Sequence, residues 1–281
     1  MNPPVDITPQ EFQLLQAYIQ EESGIALEPE KTYLLESRLR RLLAEFECAS
    51  YGDLYRKARE NRDPTLRTRI VDAITTNETL WFRDVVPYSV LSEVFLPAMA
   101  EELRAGRPKV RIWSAACSTG QEPYSIAIRI HEFCRWQGNG TLRPEQFEIL
   151  ATDISSDALA VGKLGAYDNL AMSRGMTDAV RQRYFHESGR YWVVDPELKK
   201  ILDFRQFNLL GDFGALGLFD AIFCRNVAIY FSQPVKQRLF EKMHLSLRRG
   251  GHFFLGTSES LSYYETPFKA RDYNNHTYYE A

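Results

Sequence analysis

Four clusters of polar residues in the sequence could bind a ligand, and the first follows a short apolar stretch at residues 110–114. Residues 114–123 read Ser-Ala-Ala-Cys-Ser-Thr-Gly-Gln-Glu-Pro, and such small side chains let a ligand approach the backbone. The segment lacks the several glycines of a phosphate-binding turn, and Glu122 would put negative charge where a phosphate binds. It therefore favours a cationic ligand group. The alternative is that Glu122 only complements the dipole of the helix that begins there.

The second cluster is Thr152-Asp153-Ile154-Ser155, at the end of another apolar stretch. An acidic side chain that closes a second strand, roughly 30 residues after the first turn, is suited to bind the two hydroxyls of a ribose. The alternative is that Asp153 or Ser155 caps the next helix.

The third cluster follows a further apolar stretch and contains Arg225 and Asn226, which have no obvious packing role, with Tyr230 close behind. Tyr230 alone could equally belong to the core. The fourth cluster, residues 75–84, reads Thr-Thr-Asn-Glu-Thr-Leu-Trp-Phe-Arg-Asp and either covers a cleft or caps a helix. Together the four clusters favour an adenosine-type ligand with a charged amino-acid tail over a phosphate ligand.

The elements that must position these clusters begin with a helical region. Four stretches of the first 85 residues carry apolar side chains at helical spacing. Thr8, Pro9 and Glu11 form a helix start signal, and Ser23-Gly24 forms a stop signal. We therefore predict an N-terminal helical domain over residues 1–85.

The rest of the chain, residues 86–281, alternates apolar strands with helices, which is typical of a parallel sheet covered on both faces. We predict strands at 110–114, 147–152, 219–224 and 251–256. In such a sheet the ligand lies beyond the carboxyl ends of the strands, where three of the clusters fall. Short strands at 191–194 and 201–204, separated by Asp195-Pro196, predict a small antiparallel subdomain inserted at about 167–207.

Composition limits the classes of function. Hydrophobic residues make up 44% and charged residues 25%, as in ordinary globular proteins. No stretch reaches the ~18 apolar residues of a membrane span, and the first six residues do not resemble a secretory signal, so we expect no membrane insertion. A net charge of −3 does not favour a nucleic-acid partner. The four cysteines and five histidines lack the spacing of a metal site, so we expect reduced thiols and no metal.

These residues resemble the CheR family, the S-adenosylmethionine-dependent methyltransferases that modify chemoreceptor glutamates. The matching strings agree in order and spacing over nearly the whole chain. They are Thr76-Asn77-Glu78-Thr79 with Phe82-Arg83, the segment from Trp113 to Ser125, Ala151-Thr152-Asp153-Ile154-Ser155, and Phe223-Cys224-Arg225-Asn226-Val227 with Ile229-Tyr230-Phe231. The resemblance implies an α/β fold: a Rossmann-like methyltransferase domain with an inserted small antiparallel β-subdomain, preceded by an all-helical N-terminal domain.

The resemblance also implies the site. The cofactor would be S-adenosyl-L-methionine, which leaves as S-adenosyl-L-homocysteine, and no metal is needed. The implied cofactor-binding residues are Asn77, Thr79, Arg83, Glu122, Asp153, Asn208, Leu209, Arg225 and Asn226. Arg83 and Tyr230 match family positions that line the methyl-transfer region, and they are the predicted catalytic residues.

The implied activity is that of a protein-glutamate O-methyltransferase, which forms glutamate methyl esters on chemoreceptor cytoplasmic domains for sensory adaptation. We expect a cytoplasmic monomer. An exposed glutamate is already ionised at pH 7, so the reaction needs no general base. The predicted helix with Arg38, Arg40 and Arg41 could bind an acidic receptor helix, or these arginines could form only a solvated stripe. Some family members bind a receptor's C-terminal pentapeptide through a longer glycine-rich loop. Residues 184–192 leave little spare length for one, so we predict independence from this tether.

Two other readings remain open. The chain could methylate a small molecule or a nucleic acid, although the acidic net charge argues against nucleic acid. It could also be a non-catalytic cofactor sensor or scaffold, because a fold alone does not determine function. Loss of Arg83, Tyr230 or Asp153 would favour the sensor, and all three are present.

Overall fold

The computed structural model describes residues 6–60, 64–137 and 140–281. The N-terminal part contains four helices around one apolar core: α1 (Pro9–Ser23), α2 (Thr32–Glu45), α3 (Tyr51–Glu60) and α4 (Pro64–Ile74). The predicted ends of α1 are confirmed. Thr8 Oγ1 accepts from the Glu11 N–H at 3.3 Å, and Glu11 Oε2 accepts from the Thr8 N–H at 2.9 Å. Gly24, at φ +78°, ends the helix in the left-handed conformation.

The remaining helices and strands build an α/β unit. Its helices are α5 (Val86–Val90), α6 (Leu96–Arg104), α7 (Gln121–Trp136), α8 (Ser156–Leu164), α9 (Asn169–Ser173), α10 (Asp178–Tyr184), α11 (Pro196–Lys199) and α12 (Gln233–Leu245). A π-helical turn at Leu91–Phe95 joins α5 to α6. Its strands are β1 (Val110–Ala115), β2 (Phe147–Asp153), β3 (Ala166–Asp168), β4 (Phe185–Ser188), β5 (Tyr191–Val194), β6 (Leu202–Gln206), β7 (Phe219–Cys224), β8 (Leu247–Phe254), β9 (Lys269–Tyr273) and β10 (His276–Glu280).

Seven strands form the main sheet in the order β6-β2-β1-β7-β8-β10-β9. The first five run parallel, and β10 pairs antiparallel with both β8 and β9. The chain moves from β1 to β2 on one side and later to β7 on the other, so the sheet has a switch point between β1 and β7. A ligand is expected beyond the carboxyl ends of these two strands.

Alternation along each strand sends apolar side chains into two cores. Ile112 packs into the core on the face covered by α7, whereas its neighbour Trp113 packs into the core on the face covered by α12. Ile112 and Trp113 are both completely buried. The predicted fold class, an α/β sheet domain preceded by an all-helical part, is confirmed.

The antiparallel subdomain differs from the prediction in one strand. Its three-stranded sheet has the order β3-β5-β4. The stretch predicted as the partner of 191–194, at 201–204, instead forms β6 and pairs parallel with β2 at the edge of the main sheet, where Ile149 lies opposite Leu202. The pairing of these strands was therefore wrong, because an edge strand with one polar face carries no local signal of its partner. The domain limits at residue 85 and at 167–207 stay predictions.

The helical part packs directly against the carboxyl edge of the sheet. The Asn208 side chain donates to the Glu22 carbonyl oxygen at 2.7 Å, and the Ala26 N–H donates to the Tyr230 carbonyl oxygen at 2.9 Å. Ile25 and Phe231 form an isolated antiparallel bridge beside these bonds. The helical part thereby closes one side of the space at the sheet edge. None of the described helices has the length and apolarity needed to cross a bilayer.

Candidate active site

A cavity of about 310 Å³ lies at the carboxyl edge of the sheet, between the α/β unit and the helical part. All the residues predicted to bind cofactor or to act in catalysis line it: Asn77, Thr79, Arg83, Glu122, Asp153, Asn208, Leu209, Arg225, Asn226 and Tyr230. Arg38 lines it as well, whereas Arg40 and Arg41 do not. The topology thus brings the four polar clusters together, although they are spread over more than half of the sequence.

The loop after β1 places Glu122 at the floor of the cavity. Gly120, at φ +95°, turns the chain into α7, so that Glu122 falls in the first helical turn. Glu122 Oε1 accepts from the Ser114 hydroxyl at 2.8 Å. Burial raises the pKa of the Glu122 carboxyl, and the nearby Arg225 guanidinium opposes that rise.

Arg225 forms the centre of a buried ion-pair network. Its Nη1 donates to Glu122 Oε2 at 2.9 Å, and its Nη2 donates to Asp84 Oδ2 at 2.8 Å and to the Arg83 carbonyl oxygen at 2.6 Å. The side chain is 1% exposed, so these bonds form out of contact with bulk water. Burial disfavours the charge, but Tyr88 and the two carboxylates outweigh it and raise the pKa of Arg225.

This network changes the interpretation of Glu122. The sequence suggested a free negative charge for a cationic ligand group, but Arg225 already balances much of that charge. The two terminal nitrogens of Arg225 are likewise engaged with protein groups, and only its Nε lacks a hydrogen-bond partner in the described chain. Arg225 therefore holds the walls of the cavity together.

Asp153 ends β2 and faces the same cavity. Its Oδ2 accepts from the Ser118 N–H at 2.7 Å, and its Oδ1 accepts from the Ser155 N–H at 2.9 Å. Each carboxylate oxygen can accept a further hydrogen bond, for example from a hydroxyl group. Burial raises the pKa of Asp153, and the backbone N–H bonds partly offset that rise. The helix-capping alternative applies to Ser155, whose hydroxyl accepts from Ala158 N at 3.2 Å, and it leaves Asp153 available.

Residues 75–85 form an irregular segment over the cavity rather than a helix cap, because Val85, the residue that precedes α5, makes no side-chain capping bond. Asn77 ties the segment to the sheet edge, since its carbonyl oxygen accepts from the Ser118 hydroxyl at 2.9 Å. Trp81 anchors the middle of the segment. It is completely buried, with its ring edge-on to Tyr167 and Phe185 at centroid distances of 4.9 and 5.2 Å.

Arg83 lies between Trp81 and Asp84, which Arg225 holds, in a strained stretch. Its neighbours Phe82, Asp84 and Val85 have φ angles of +49°, +67° and +49°. Residues in this region are uncommon and cluster at functional sites. Within the described ranges, the Arg83 guanidinium makes no hydrogen bond or ion pair, although it lines the cavity. Its charge acts on Glu122, where it opposes the rise in pKa that burial causes, but no protein group binds the guanidinium directly, so it is available to an incoming anion.

Two predicted residues lie on the loop that follows β6. The Asn208 side chain is already engaged, since it donates to the Glu22 carbonyl oxygen and its Oδ1 accepts from Leu210 N at 2.9 Å. Leu209 is buried, and its carbonyl oxygen accepts from Lys242 Nζ at 2.7 Å. These contacts fix the loop, so a ligand would meet mainly its backbone and the Leu209 side chain.

The three arginines of α2 do not form one surface. Arg38 is half-buried, and it donates to the Thr75 carbonyl oxygen at 3.2 Å and to Thr76 Oγ1 at 3.0 Å. Arg40 and Arg41 are exposed and lie outside the cavity lining. Positions 38 and 40 are about 200° apart around a helix, so Arg38 faces the cavity while Arg40 lies on a different side of α2.

Sequence reasoning missed two residues of the site. Asp84 holds Arg225, and it stands directly beside Arg83 in the predicted cluster. Glu259 binds the backbone of Asn226 at 2.7 Å and follows a predicted strand, so the rule that sites form at the carboxyl edge could have found it. In the described ranges, no group of three or more His, Cys, Asp and Glu side chains is arranged to hold a metal ion, and the expectation of no metal stays a prediction.

Known proteins are similar to this chain over most of its length. The family model described as the CheR methyltransferase SAM-binding domain matches residues 77–276, and the model of the CheR methyltransferase all-alpha domain matches residues 10–75. Chemotaxis protein methyltransferase 1 of Pseudomonas aeruginosa is 43% identical over 253 residues, which cover 90% of each chain. A chemotaxis protein methyltransferase of Vibrio parahaemolyticus is 43% identical over 260 residues, which cover 92% of each chain.

Among solved structures, an O-methyltransferase family protein from Burkholderia thailandensis aligns with 79% of this chain and 52% of its own, at 10% identity and a TM-score of 0.36. That likeness is too weak to support a conclusion. The two family models and the two relatives carry the assignment. The chain belongs to the CheR methyltransferase family, and its cofactor is S-adenosylmethionine.

Proposed function

We propose that this protein transfers the methyl group of S-adenosylmethionine to glutamate side chains of chemoreceptor cytoplasmic helices, forming methyl esters and S-adenosylhomocysteine. The observation that carries the proposal is the unpaired guanidinium of Arg83, which lines the same cavity as Tyr230 and Asp153. A free cation in a cofactor cavity suits a carboxylate substrate better than a neutral one. The curated relatives are named as chemotaxis methyltransferases, which is consistent with this substrate.

The residues present fit the cofactor. Both carboxylate oxygens of Asp153 can still accept a hydrogen bond from the ribose hydroxyls. The side-chain amide of Asn226 lines the cavity and makes no hydrogen bond within the described chain. Thr79 and Leu209 line the same cavity. Asn77 also lines it and bonds the segment over the cavity, residues 75–85, to the sheet edge. We assign cofactor contacts to all of these. Glu122, Arg225 and Asn208 contribute chiefly through the protein groups they hold.

When bound, the cofactor supplies a methyl group on a positively charged sulfur. The protein's own residues then have a limited task, because a glutamate with a pKa near 4.3 is already an anion at pH 7. Arg83 would bind and orient that carboxylate. Tyr230 would fix the approach of the donor methyl, and the Tyr230 backbone is fixed by bonds to Val227 at 3.1 Å and to Ala26 at 2.9 Å.

Positioning and exclusion of water account for the rate in this proposal. Positioning alone can lower the activation barrier of well-oriented reactants by up to ~7–11 kcal/mol. The helical part closes one side of the cavity through its bonds to Tyr230 and Asn208, and this reduces access of water to the reacting charges. No general base is assigned.

The receptor would bind outside the cavity, with Arg40 and Arg41 of α2 as contacts for an acidic helix and Arg38 nearer the reacting glutamate. We further propose that no pentapeptide tether is needed, since only Gly189 and Arg190 separate β4 from β5. The protein would act as a cytoplasmic monomer, with a helical domain at 1–85 and a methyltransferase domain at 86–281.

The deciding experiment is transfer of radiolabelled methyl groups to a panel of chemoreceptor cytoplasmic fragments. We expect a base-labile label that maps to glutamate, because carboxylate methyl esters hydrolyse in base. Tight binding of S-adenosylhomocysteine without transfer to any fragment would favour the sensor alternative. A base-stable label, or transfer only to a small molecule or a nucleic acid, would refute the glutamate assignment.

A further inference from the structure

Glu259 lies in the loop after β8, outside the cavity lining, and binds the backbone of the loop that carries Asn226. Its Oε2 accepts from the Asn226 N–H at 2.7 Å and from the Gly256 N–H at 2.8 Å. Its Oε1 accepts from the Ile229 N–H at 3.3 Å. One carboxylate therefore joins the loops that follow two neighbouring strands, β7 and β8.

The Asn226 backbone needs this support. Its φ of +57° lies in the left-handed region, which asparagine tolerates better than most residues but still adopts at a cost. The opposing loop packs tightly against it. A Cβ on Gly256 would lie 2.5 Å from Asn226 Nδ2 and 2.9 Å from Glu259 Oε2, so only glycine allows this approach.

The segment held in this way presents two side chains to the cavity. The side-chain amide of Asn226 lines the cavity and makes no hydrogen bond within residues 6–60, 64–137 and 140–281. Tyr230 ends the short 3₁₀ turn Ala228–Tyr230, and the Ile229 N–H that Glu259 binds lies inside that turn. Glu259 thus holds Asn226 itself and Ile229, the residue directly before Tyr230.

We propose that Glu259 is a positioning residue for methyl transfer: its carboxylate sets the backbone from Asn226 to Tyr230, and thereby aims both side chains at the bound donor. The expected effect of Glu259 on the methylation rate rests on the proposed function. Its consequence on donor binding is independent of the substrate. Glu259 does not line the cavity, so its effect passes through the residues it holds.

The test compares Glu259→Ala, which removes all three bonds, with Glu259→Gln, whose amide oxygen can still accept from Asn226 and Gly256. Glu11→Ala is the matched control. Glu11 also accepts two backbone N–H groups, from Gly52 at 2.7 Å and from Thr8 at 2.9 Å, but in the helical part and away from the cavity. Calorimetry with S-adenosylhomocysteine measures binding, and thermal unfolding measures the folded fraction.

We expect Glu259→Ala to weaken S-adenosylhomocysteine binding by about tenfold. At saturating donor and receptor, we expect it to lower the methylation rate per folded molecule by about 100-fold, as a displaced reacting geometry does. Glu259→Gln should stay within about threefold of wild type in both measurements, and Glu11→Ala should change neither. If Glu259→Ala does not fold, Glu259→Asp takes its place, because its shorter side chain cannot reach both loops.

Wild-type affinity and rate in the folded fraction of Glu259→Ala or Glu259→Asp would overturn the inference, since the carboxylate would then serve stability alone. Equal losses in Glu259→Gln and Glu259→Ala would also overturn it, because charge rather than positioning would be responsible. If the wild-type protein bound S-adenosylhomocysteine but methylated no receptor glutamate, the proposed function would fail. The graded affinity series would still decide the role of Glu259.

Discussion

The guanidinium of Arg225 donates a 2.6 Å hydrogen bond to the carbonyl oxygen of Arg83, so a buried arginine fixes the backbone of an arginine whose own side chain is free. The same Arg225 nitrogen also binds Asp84, the next residue along the chain. Two consecutive residues are therefore held from below, in a stretch with positive φ angles. The backbone that carries the Arg83 side chain is thereby fixed, while its guanidinium keeps all its hydrogen-bond donors for a ligand.

The first prediction concerns that free side chain. Arg83→Ala should lower the rate of methyl transfer by about two to three orders of magnitude, because the carboxylate loses its charged partner and its orientation. Unfolding by urea should be nearly unchanged, since the Arg83 bond to Arg225 uses the backbone. Steady-state methylation of a receptor fragment measures the effect.

Arg271→Ala is the control for Arg83→Ala. Arg271 lies on β9 and is paired with Glu280 at the surface, so its loss should leave the rate unchanged. A near-normal rate for Arg83→Ala would remove Arg83 from the mechanism.

The second prediction concerns the anchor of the segment over the cavity. Gly175 has a φ of +92°, and a Cβ there would overlap the carbonyl oxygen of Trp81. Gly175→Ala should therefore displace Trp81 and destabilise the protein by about 2–4 kcal/mol, as a backbone clash adds to an unfavourable φ. Gly189→Ala is the matched control. It has a φ of +61° with nothing within 4 Å of its Cβ, so only the ~1–2 kcal/mol of the φ remains.

Urea unfolding of the two glycine variants measures the difference, and methylation assays add a second readout. Only Gly175→Ala should also lower the rate, because Trp81 and Arg83 belong to the same segment. Equal free energies of unfolding would show that the Trp81 contact relaxes without cost.

The third prediction is a pH dependence of donor binding. Burial raises the pKa of Asp153 above its ordinary 3.8, so this carboxyl protonates at a higher pH than an exposed aspartate. The ionised form accepts from hydroxyl groups, so as the pH is lowered from neutral into the acidic range, affinity for S-adenosylhomocysteine should begin to fall at a higher pH than an exposed aspartate would allow. Burial raises the pKa of Glu122 in the same direction, so both carboxyls contribute a loss of the same sign.

Calorimetry across this pH range checks the dependence, with Asp153→Asn as the comparison. The asparagine variant should bind about tenfold more weakly at neutral pH, and its affinity should depend less on pH. Identical pH profiles for the two proteins would show that Asp153 does not bind the donor as an anion.

The fourth prediction concerns the receptor. Replacing both Arg40 and Arg41 with glutamate should raise the KM for receptor fragments by about tenfold and weaken its salt dependence, because an acidic helix loses an attractive surface. Affinity for S-adenosylhomocysteine should not change, since neither residue lines the cavity. The same reversal of Arg56 and Arg59 on α3 is the control. Unaltered turnover at low and high salt would mean that these arginines are only solvated.

The fifth prediction concerns the tether. A receptor C-terminal pentapeptide should give no heat of binding in calorimetry, because β4 and β5 are joined by only two residues, one of them Gly189 at φ +61°. Methylation of a receptor fragment should accordingly be the same with and without its last residues. Micromolar binding of the pentapeptide would contradict the prediction.

Local signals predicted much of the fold. The capping box of α1 and the strand at Phe219–Cys224 follow directly from patterns of neighbouring residues. The hairpin of β9 and β10 was not predicted, because β9 is mostly exposed and rich in charged residues and so lacks the apolar alternation of a strand. Its turn does carry a signal in Asn274 and Asn275, whose φ angles of +49° and +62° suit a tight hairpin.

The sequence was sufficient to predict which residues line the site, but not which of them bond to one another. Motifs placed Glu122 and Arg225 in the cavity, while their 2.9 Å bond joins residues 103 positions apart and depends on the order of the strands. The bond between Glu259 and Asn226 likewise joins two loops that only the sheet brings together. Long-range pairings of this kind leave no periodic trace in a single sequence.

Two of the contacts that the helical part makes with the sheet edge use main-chain atoms, at Glu22 and Ala26. Main-chain atoms are common to all residues, so this joint makes little demand on the amino acids at those two positions. Side chains join the two parts elsewhere, at Asp72 with Ser156 and at Arg69 with Asp157, so exchange of residues 10–75 between family members should keep the parts joined only where positions 69 and 72 are retained.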